Sequence, residues 1–178
     1  RSSSGGGPSG MATIGFVASV MRGTYAKPLA RGVPSTASAR LSTNPKEEHV
    51  ASHATRTIFV NLAVNDLART VAFFTELGFA FDDRFTDDGA TCMIVNDRAF
   101  VMLLVRARFA EFTKKAITDS TTHTEAILSV GVESTEAVDR LVDTALATGG
   151  SPANEPMDHG FMYGRSFHDP DGHLWEVI

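Results

Sequence analysis

The sequence has 178 residues, 43% hydrophobic and 21% charged, a composition that suits one globular domain with a sizeable core. No apolar run approaches the roughly 20 residues that cross a bilayer, and Cys92, the one cysteine, has no partner in the sequence for a disulfide or a CxxC pair. Formal net charge is −5, but six basic residues precede the first acid, Glu47, so residues 47–178 hold 10 Lys/Arg against 21 Asp/Glu and repel a nucleic-acid backbone.

Residues 1–10 (RSSSGGGPSG) read as a flexible linker or upstream segment. Residues 11–46 are basic, rich in Ser, Thr and Ala, and free of acids. They read as a mitochondrial or plastid transit peptide, as a disordered leader, or as an over-extended reading frame. Residues 1–54 are therefore set aside as a leader, and 55–178 are taken as one domain. Localisation follows the leader: cytoplasmic, or organellar where it is a transit peptide. His49 and His53 have a zinc-like spacing but no further ligands near them.

Residues 57–64 (TIFVNLAV) are β-branched and apolar and predict a strand. Asp66 follows as a helix cap, Leu67, Val71, Phe74 and Leu77 recur at helical spacing, and Gly78 stops the helix. Strands follow over 79–85, 90–95 and 100–105, giving β-α-β-β-β. A polar connection over 106–123 holds a short predicted helix near 109–115. The plan then repeats: a strand over 126–132, a cap at Glu133-Ser134, a helical stripe of Ala137, Leu141 and Leu146, and a stop at Gly149-Gly150. Segments 152–156 and 160–167 lead to a tight turn, Asp169-Pro170-Asp171-Gly172, and a last strand over 173–178.

The duplicated β-α-β-β-β plan, the stretch VNDLARTVAFFTELGF and the closing FHDPDGHLWEV together resemble the vicinal-oxygen-chelate (glyoxalase/bleomycin-resistance/extradiol-dioxygenase) superfamily, glyoxalase-like subgroup. The resemblance covers about 57–178, with modules near 57–105 and 124–178. It implies an α+β fold in which two βαβββ modules pair as curved sheets around a central cavity. Enzymes of this kind hold a divalent metal through His and Glu side chains on the first and last strands of each module. Carried over residue by residue, those positions fall on Phe59, Met102 or Leu103, Ile127 and Glu176. Only Glu176 keeps a ligand-type side chain, so the expectation is no resident cofactor, with a divalent metal as the alternative. His123 lies close enough to the second module's first strand to be weighed as a substitute ligand.

Strand alternation places Phe59, Asn61 and Ala63 on one face and Val60, Leu62 and Val64 on the other, so the first set is expected to face the cavity, with Ile127 and Ser129 opposite. On this reading Glu176 and Tyr163 are the acid/base pair, and Phe59, Asn61, Met102, His159 and Arg165 bind substrate, Arg165 through a carboxylate. The plainer reading pairs Arg165 with Asp169 at the surface. Cys92 is expected as a buried small hydrophobe. Three functions stay open: a metal-free small-molecule-binding protein similar to the bleomycin-resistance branch, a metal-dependent lyase or dioxygenase, and a scaffold without ligand. A small molecule is the expected partner, with a homodimer allowed and neither nucleic acid nor membrane.

Overall fold

The computed structural model describes residues 56–178, and Thr57–Ile178 form one compact unit. The leader readings and the His49/His53 pair lie outside the described residues. No helix among the described residues is long and apolar enough to cross a membrane.

The first module runs β1 (Ile58–Val64), α1 (Leu67–Glu76), β2 (Ala80–Asp87), β3 (Ala90–Asn96) and β4 (Ala99–Val105). Its sheet has the order β1-β4-β3-β2, with β1 parallel to β4 and the other pairs antiparallel. A short helix, α2 (Arg106–Ala110), follows. The second module runs β5 (Ile127–Val130), α3 (Thr135–Ala147), β6 (Ser151–Pro152), β7 (Met157–Asp158), β8 (Tyr163–His168) and β9 (Leu174–Val177). Its sheet has the order β5-β9-β8-β6, with β7 also on β8 and β5 parallel to β9. The α+β duplication of βαβββ units expected from the sequence is thus present. The two sheets stay separate and do not close on each other.

Local chemistry explains where these elements start and stop. The Asp66 carboxylate accepts from the Arg69 N–H, and the Ser134 hydroxyl accepts from the Ala137 N–H, so each main helix carries a side-chain cap. After α1 the chain reverses through Gly78 at φ +88°, a conformation a side chain resists. The short helix begins at Arg106 rather than 109, and it ends before the Thr113 hydroxyl captures the Lys115 N–H. Within segment 160–167 the strand β8 starts at Tyr163, and residues 159–162 form the turn of a β7–β8 hairpin. His159 N–H donates to the Met162 carbonyl, and the Asp158 carboxylate accepts from the Gly160 N–H, which turns the chain between β7 and β8.

One apolar core serves both modules. Leu62, Val64, Val101 and Leu103 from the first sheet meet Phe167, Trp175 and Val177 from the second, with Phe73 and Phe74 of α1 and Val138 and Val142 of α3 among them. The Phe74 ring lies 5.1 Å from Trp175, and Phe73 lies 6.1 Å from Phe167. Because α1 packs against both modules, its fully buried face is Thr70, Phe73 and Phe74, while Leu67, Val71 and Leu77 are only half-buried.

The turn 169–172 locks the modules together. The Asp171 carboxylate is wholly buried yet accepts from Asn65 N (2.8 Å), Asn65 Nδ2 (3.0 Å), Arg69 Nη2 (3.1 Å) and Thr70 Oγ1 (2.6 Å), all around the start of α1. Asp169, 3% exposed, accepts from Asp171 N, His173 N and Trp175 Nε1. His173 Nε2 donates to the Ala63 carbonyl at 2.9 Å, since a carbonyl only accepts. Gly172 has φ +91°, and a Cβ there would meet the Ser120 carbonyl oxygen at 2.7 Å. Replacing Asp171 by Ala should leave the two Asn65 donors short of an acceptor, while Thr70 keeps the Asp66 carbonyl and Arg69 the Pro170 carbonyl, and should lower unfolding stability by about 3 kcal/mol. Urea denaturation checks this: the midpoint should fall with little change in slope, and Arg69→Met, which removes the cation beside the buried carboxylate, should also lower it, by less than Asp171→Ala because Asn65 and Thr70 still donate.

Candidate functional site

Glu176 lies on β9 with Ser129 of β5 and Ser166 of β8 as its cross-strand partners. Trp175 and Val177, on either side of it, belong to the core, so strand alternation turns Glu176 to the opposite face. One carboxylate oxygen, Oε2, accepts from Ser129 Oγ at 2.7 Å. Ser166 is buried, and its oxygen accepts from the Asn154 N–H at 2.9 Å. A hollow of about 150 Å³ opens on this face, with Glu176, Ile178, Gly164 and Ser166 in its walls and Asn154, Glu155 and Met157 from the approaching chain. Gly164 shapes the floor: a Cβ there would meet Ile178 Cγ2 at 3.0 Å and Met157 Cε at 3.7 Å.

Tyr163 does not line the Glu176 hollow, which corrects the expected acid/base pair, whereas Arg165 reaches its wall with its guanidinium engaged elsewhere. Phe167 is in the core, so the same alternation along β8 puts Arg165 and Tyr163 on the core side, beneath α3. There Tyr163 Oη donates to Asp139 Oδ1 at 2.8 Å. Arg165 also contributes to the wall of the hollow, but its Nη1 holds Asp139 at 2.8 Å and its Nη2 holds Asp143 at 2.9 Å. Nor does Arg165 pair with Asp169, which three N–H donors draw inward; burial raises the Asp169 carboxyl above its ordinary range. Counting alternation outward from Phe167 would have found this arrangement in the sequence.

His159 is exposed at the β7–β8 turn, its ring 6.1 Å from that of Phe161, which is itself 87% exposed. His168 is half-buried after Phe167, and His123 is exposed with Nδ1 2.8 Å from Thr122 Oγ1. On the first sheet, Phe59 stacks on Phe100 at 5.1 Å beside a cluster holding Cys92, Met102, Phe85 and Phe109. Met102 is buried there and Asn61 is exposed. None of Phe59, Asn61 and Met102 lines the Glu176 hollow. Cys92 is buried as expected, and burial pushes its thiol up to about 11, which keeps it protonated at neutral pH.

The donor set does not fit a divalent metal. The positions that the resemblance assigns to ligands carry Phe59, Ile127 and Met102 or Leu103 beside Glu176, and these side chains offer no carboxylate or imidazole. Among the described residues no group of three or more His, Cys, Asp or Glu is placed to hold a metal ion. No chemical step is therefore routed through a metal.

The hydrogen bond from Arg165, then that from Tyr163, hold the Asp139 carboxyl below its ordinary value of 3.8. A depressed folded value means this staple contributes fully above the unfolded value and is lost as pH falls through the folded one. In an NMR titration, Asp139 should have its midpoint below 3.8 in the wild type and move back toward it in Arg165→Gln, with a smaller return in Tyr163→Phe.

A family model described as the Glyoxalase/Bleomycin resistance protein/Dioxygenase superfamily matches residues 49–177. Among solved structures, the chain is similar to a hypothetical protein from S. aureus, at 27% identity over 70% of this chain and 93% of that one, with a TM-score of 0.60. It is similar in fold to a glyoxalase-related enzyme from Fulvimarina pelagi, at 21% identity over 70% and 87% with a TM-score of 0.60. The same holds for a glyoxalase/bleomycin resistance protein/dioxygenase family enzyme from Burkholderia phytofirmans PsJN, at 19% identity over 67% and 94% with a TM-score of 0.56. No curated protein matches the chain at a significant level. The chain belongs to the glyoxalase/bleomycin resistance protein/dioxygenase superfamily.

Proposed function

We propose that this protein binds a small organic molecule at the Glu176 hollow without a resident metal. The observation that carries this reading is a half-buried carboxylate on a strand of apolar neighbours, opening into a hollow of about 150 Å³ whose described walls include none of Phe59, Met102, Leu103 and Ile127. Glu176 is the anchoring group on this reading. Ser129 orients it, Ser166 adds a second polar contact, and Met157 with Ile178 supplies apolar wall. His159 stands at the exposed turn after β7, two residues from Met157. A homodimer belongs to the same reading. Edge strands β1 and β5 expose Ile58 and Ile127, at 58% and 55%, and a second copy would cover them.

A thermal-shift screen of small organic compounds tests the binding role. A ligand should raise the unfolding temperature in a concentration-dependent way, and the rise should shrink in Glu176→Gln and in Gly164→Ala, whose new methyl crowds Ile178. Stabilisation that survives both substitutions unchanged would place the ligand elsewhere.

The second reading is a metal-dependent lyase or dioxygenase, favoured by the retention of Glu176 at a family ligand position. It expects turnover that depends on added divalent metal and disappears in Glu176→Gln.

A further inference from the structure

The geometry points to a cationic ligand in the Glu176 hollow: an alkylammonium or guanidinium head on the carboxylate, with a short apolar stem along Met157 and Ile178. This inference rests on the small-molecule-binding reading and adds the chemical class. Three independent features carry it.

The first is the state of the polar groups in the hollow. Glu176 Oε2 is taken by Ser129, while Oε1 has no partner among the described residues. Ser166 is 8% exposed, and its oxygen accepts one hydrogen bond, from Asn154 N. A hydroxyl oxygen has two acceptor sites, so one remains. Ser166 stands directly across from Glu176 in the β8–β9 register. The open positions are thus a carboxylate oxygen and, beside it, a hydroxyl with one acceptor site and its own O–H, of which the carboxylate is the charged one. A donor-rich head such as an ammonium, with three N–H groups and no acceptor, complements them.

The second is the charge of the walls. Glu155 and Glu176 both line the hollow, and among the described residues Arg165 is its one cationic lining residue. Both ends of that guanidinium are held under α3 by Asp139 and Asp143. An anionic ligand would therefore meet two carboxylates and no free cation.

The third is the field around the hollow. Residues 124–178 carry two cationic side chains, Arg140 and Arg165, against ten carboxylates. Arg140 itself lies 3.7 Å from Glu133. Such an excess raises the local concentration of cations and repels anions before contact. The size is also limiting. A space of about 150 Å³ is that of a cavity which accepts benzene, so it holds about six or seven non-hydrogen atoms.

The test uses the ¹⁵N-labelled full chain titrated at neutral pH with three probes of like size: n-butylammonium, 1-butanol and butyrate. The expected result is saturable shifts of the Gly164, Ser166 and Ile178 amides with n-butylammonium. Its apparent affinity should be at least about tenfold above that of 1-butanol, and Glu176→Gln should lower it by a similar factor. Unchanged dispersion elsewhere in the Glu176→Gln spectrum shows that this variant is folded. Equal or tighter binding of 1-butanol or butyrate at those amides would overturn the cationic class and leave the small-molecule reading intact. Shifts with none of the three probes would overturn both. Equal n-butylammonium binding in Glu176→Gln would overturn the assignment to this carboxylate. A fourth arm adds Mn²⁺: site-specific broadening around Glu176 that n-butylammonium does not relieve would replace the organic cation by a metal.

Discussion

A carboxylate buried without a countercharge would cost several kcal/mol, and Asp171 is wholly buried. It is tolerated because the start of α1 surrounds it with donors: an amide N–H, a side-chain amide, a guanidinium and a hydroxyl. That constraint fixes the β8–β9 turn against the first module. From there, Asp169 sets the Trp175 indole, Trp175 packs on Phe74 and Phe167, and the shared core forms around those rings. The placement of β9, and so of Glu176 on its far face, depends on this polar joint.

The same joint explains why the sequence revealed its family so readily and its chemistry so poorly. The two stretches that carry the resemblance, VNDLARTVAFFTELGF and FHDPDGHLWEV, touch each other: Asn65, Arg69 and Thr70 bind Asp171, and Phe74 packs on Trp175. They are the parts that hold the modules together. A match built on them identifies the architecture and leaves the pocket free to vary. The positions that the resemblance assigns to metal ligands carry apolar side chains here, apart from Glu176.

Element order, both helix caps, the glycine stop at Gly78 and the duplication were legible because each follows from local chemistry. Asp66 and Ser134 cap where short polar acceptors precede an amphipathic run. The site was only partly legible. Glu176 and Ser129 were placed on one face by period-two alternation, and the structure keeps them hydrogen-bonded. Tyr163 was expected beside Glu176, but the count from Phe167 puts it under α3, with Arg165 bound there to Asp139 and Asp143 while it also reaches the wall of the hollow. Asp169 looked like a surface partner because the sequence does not show that Trp175 and two backbone N–H groups converge on it. Long-range polar convergence of this kind has no local signature.

On the proposed reading, this member of the superfamily binds an organic molecule through the Glu176 carboxylate without a resident metal. Elemental analysis of the purified protein, grown with added nickel, zinc, manganese and iron, tests that claim most directly. Far less than one divalent metal per chain is expected, with no difference between wild type and Glu176→Gln. Close to one metal per chain, lost in Glu176→Gln, would contradict it and return the protein to the metal-dependent members of its superfamily.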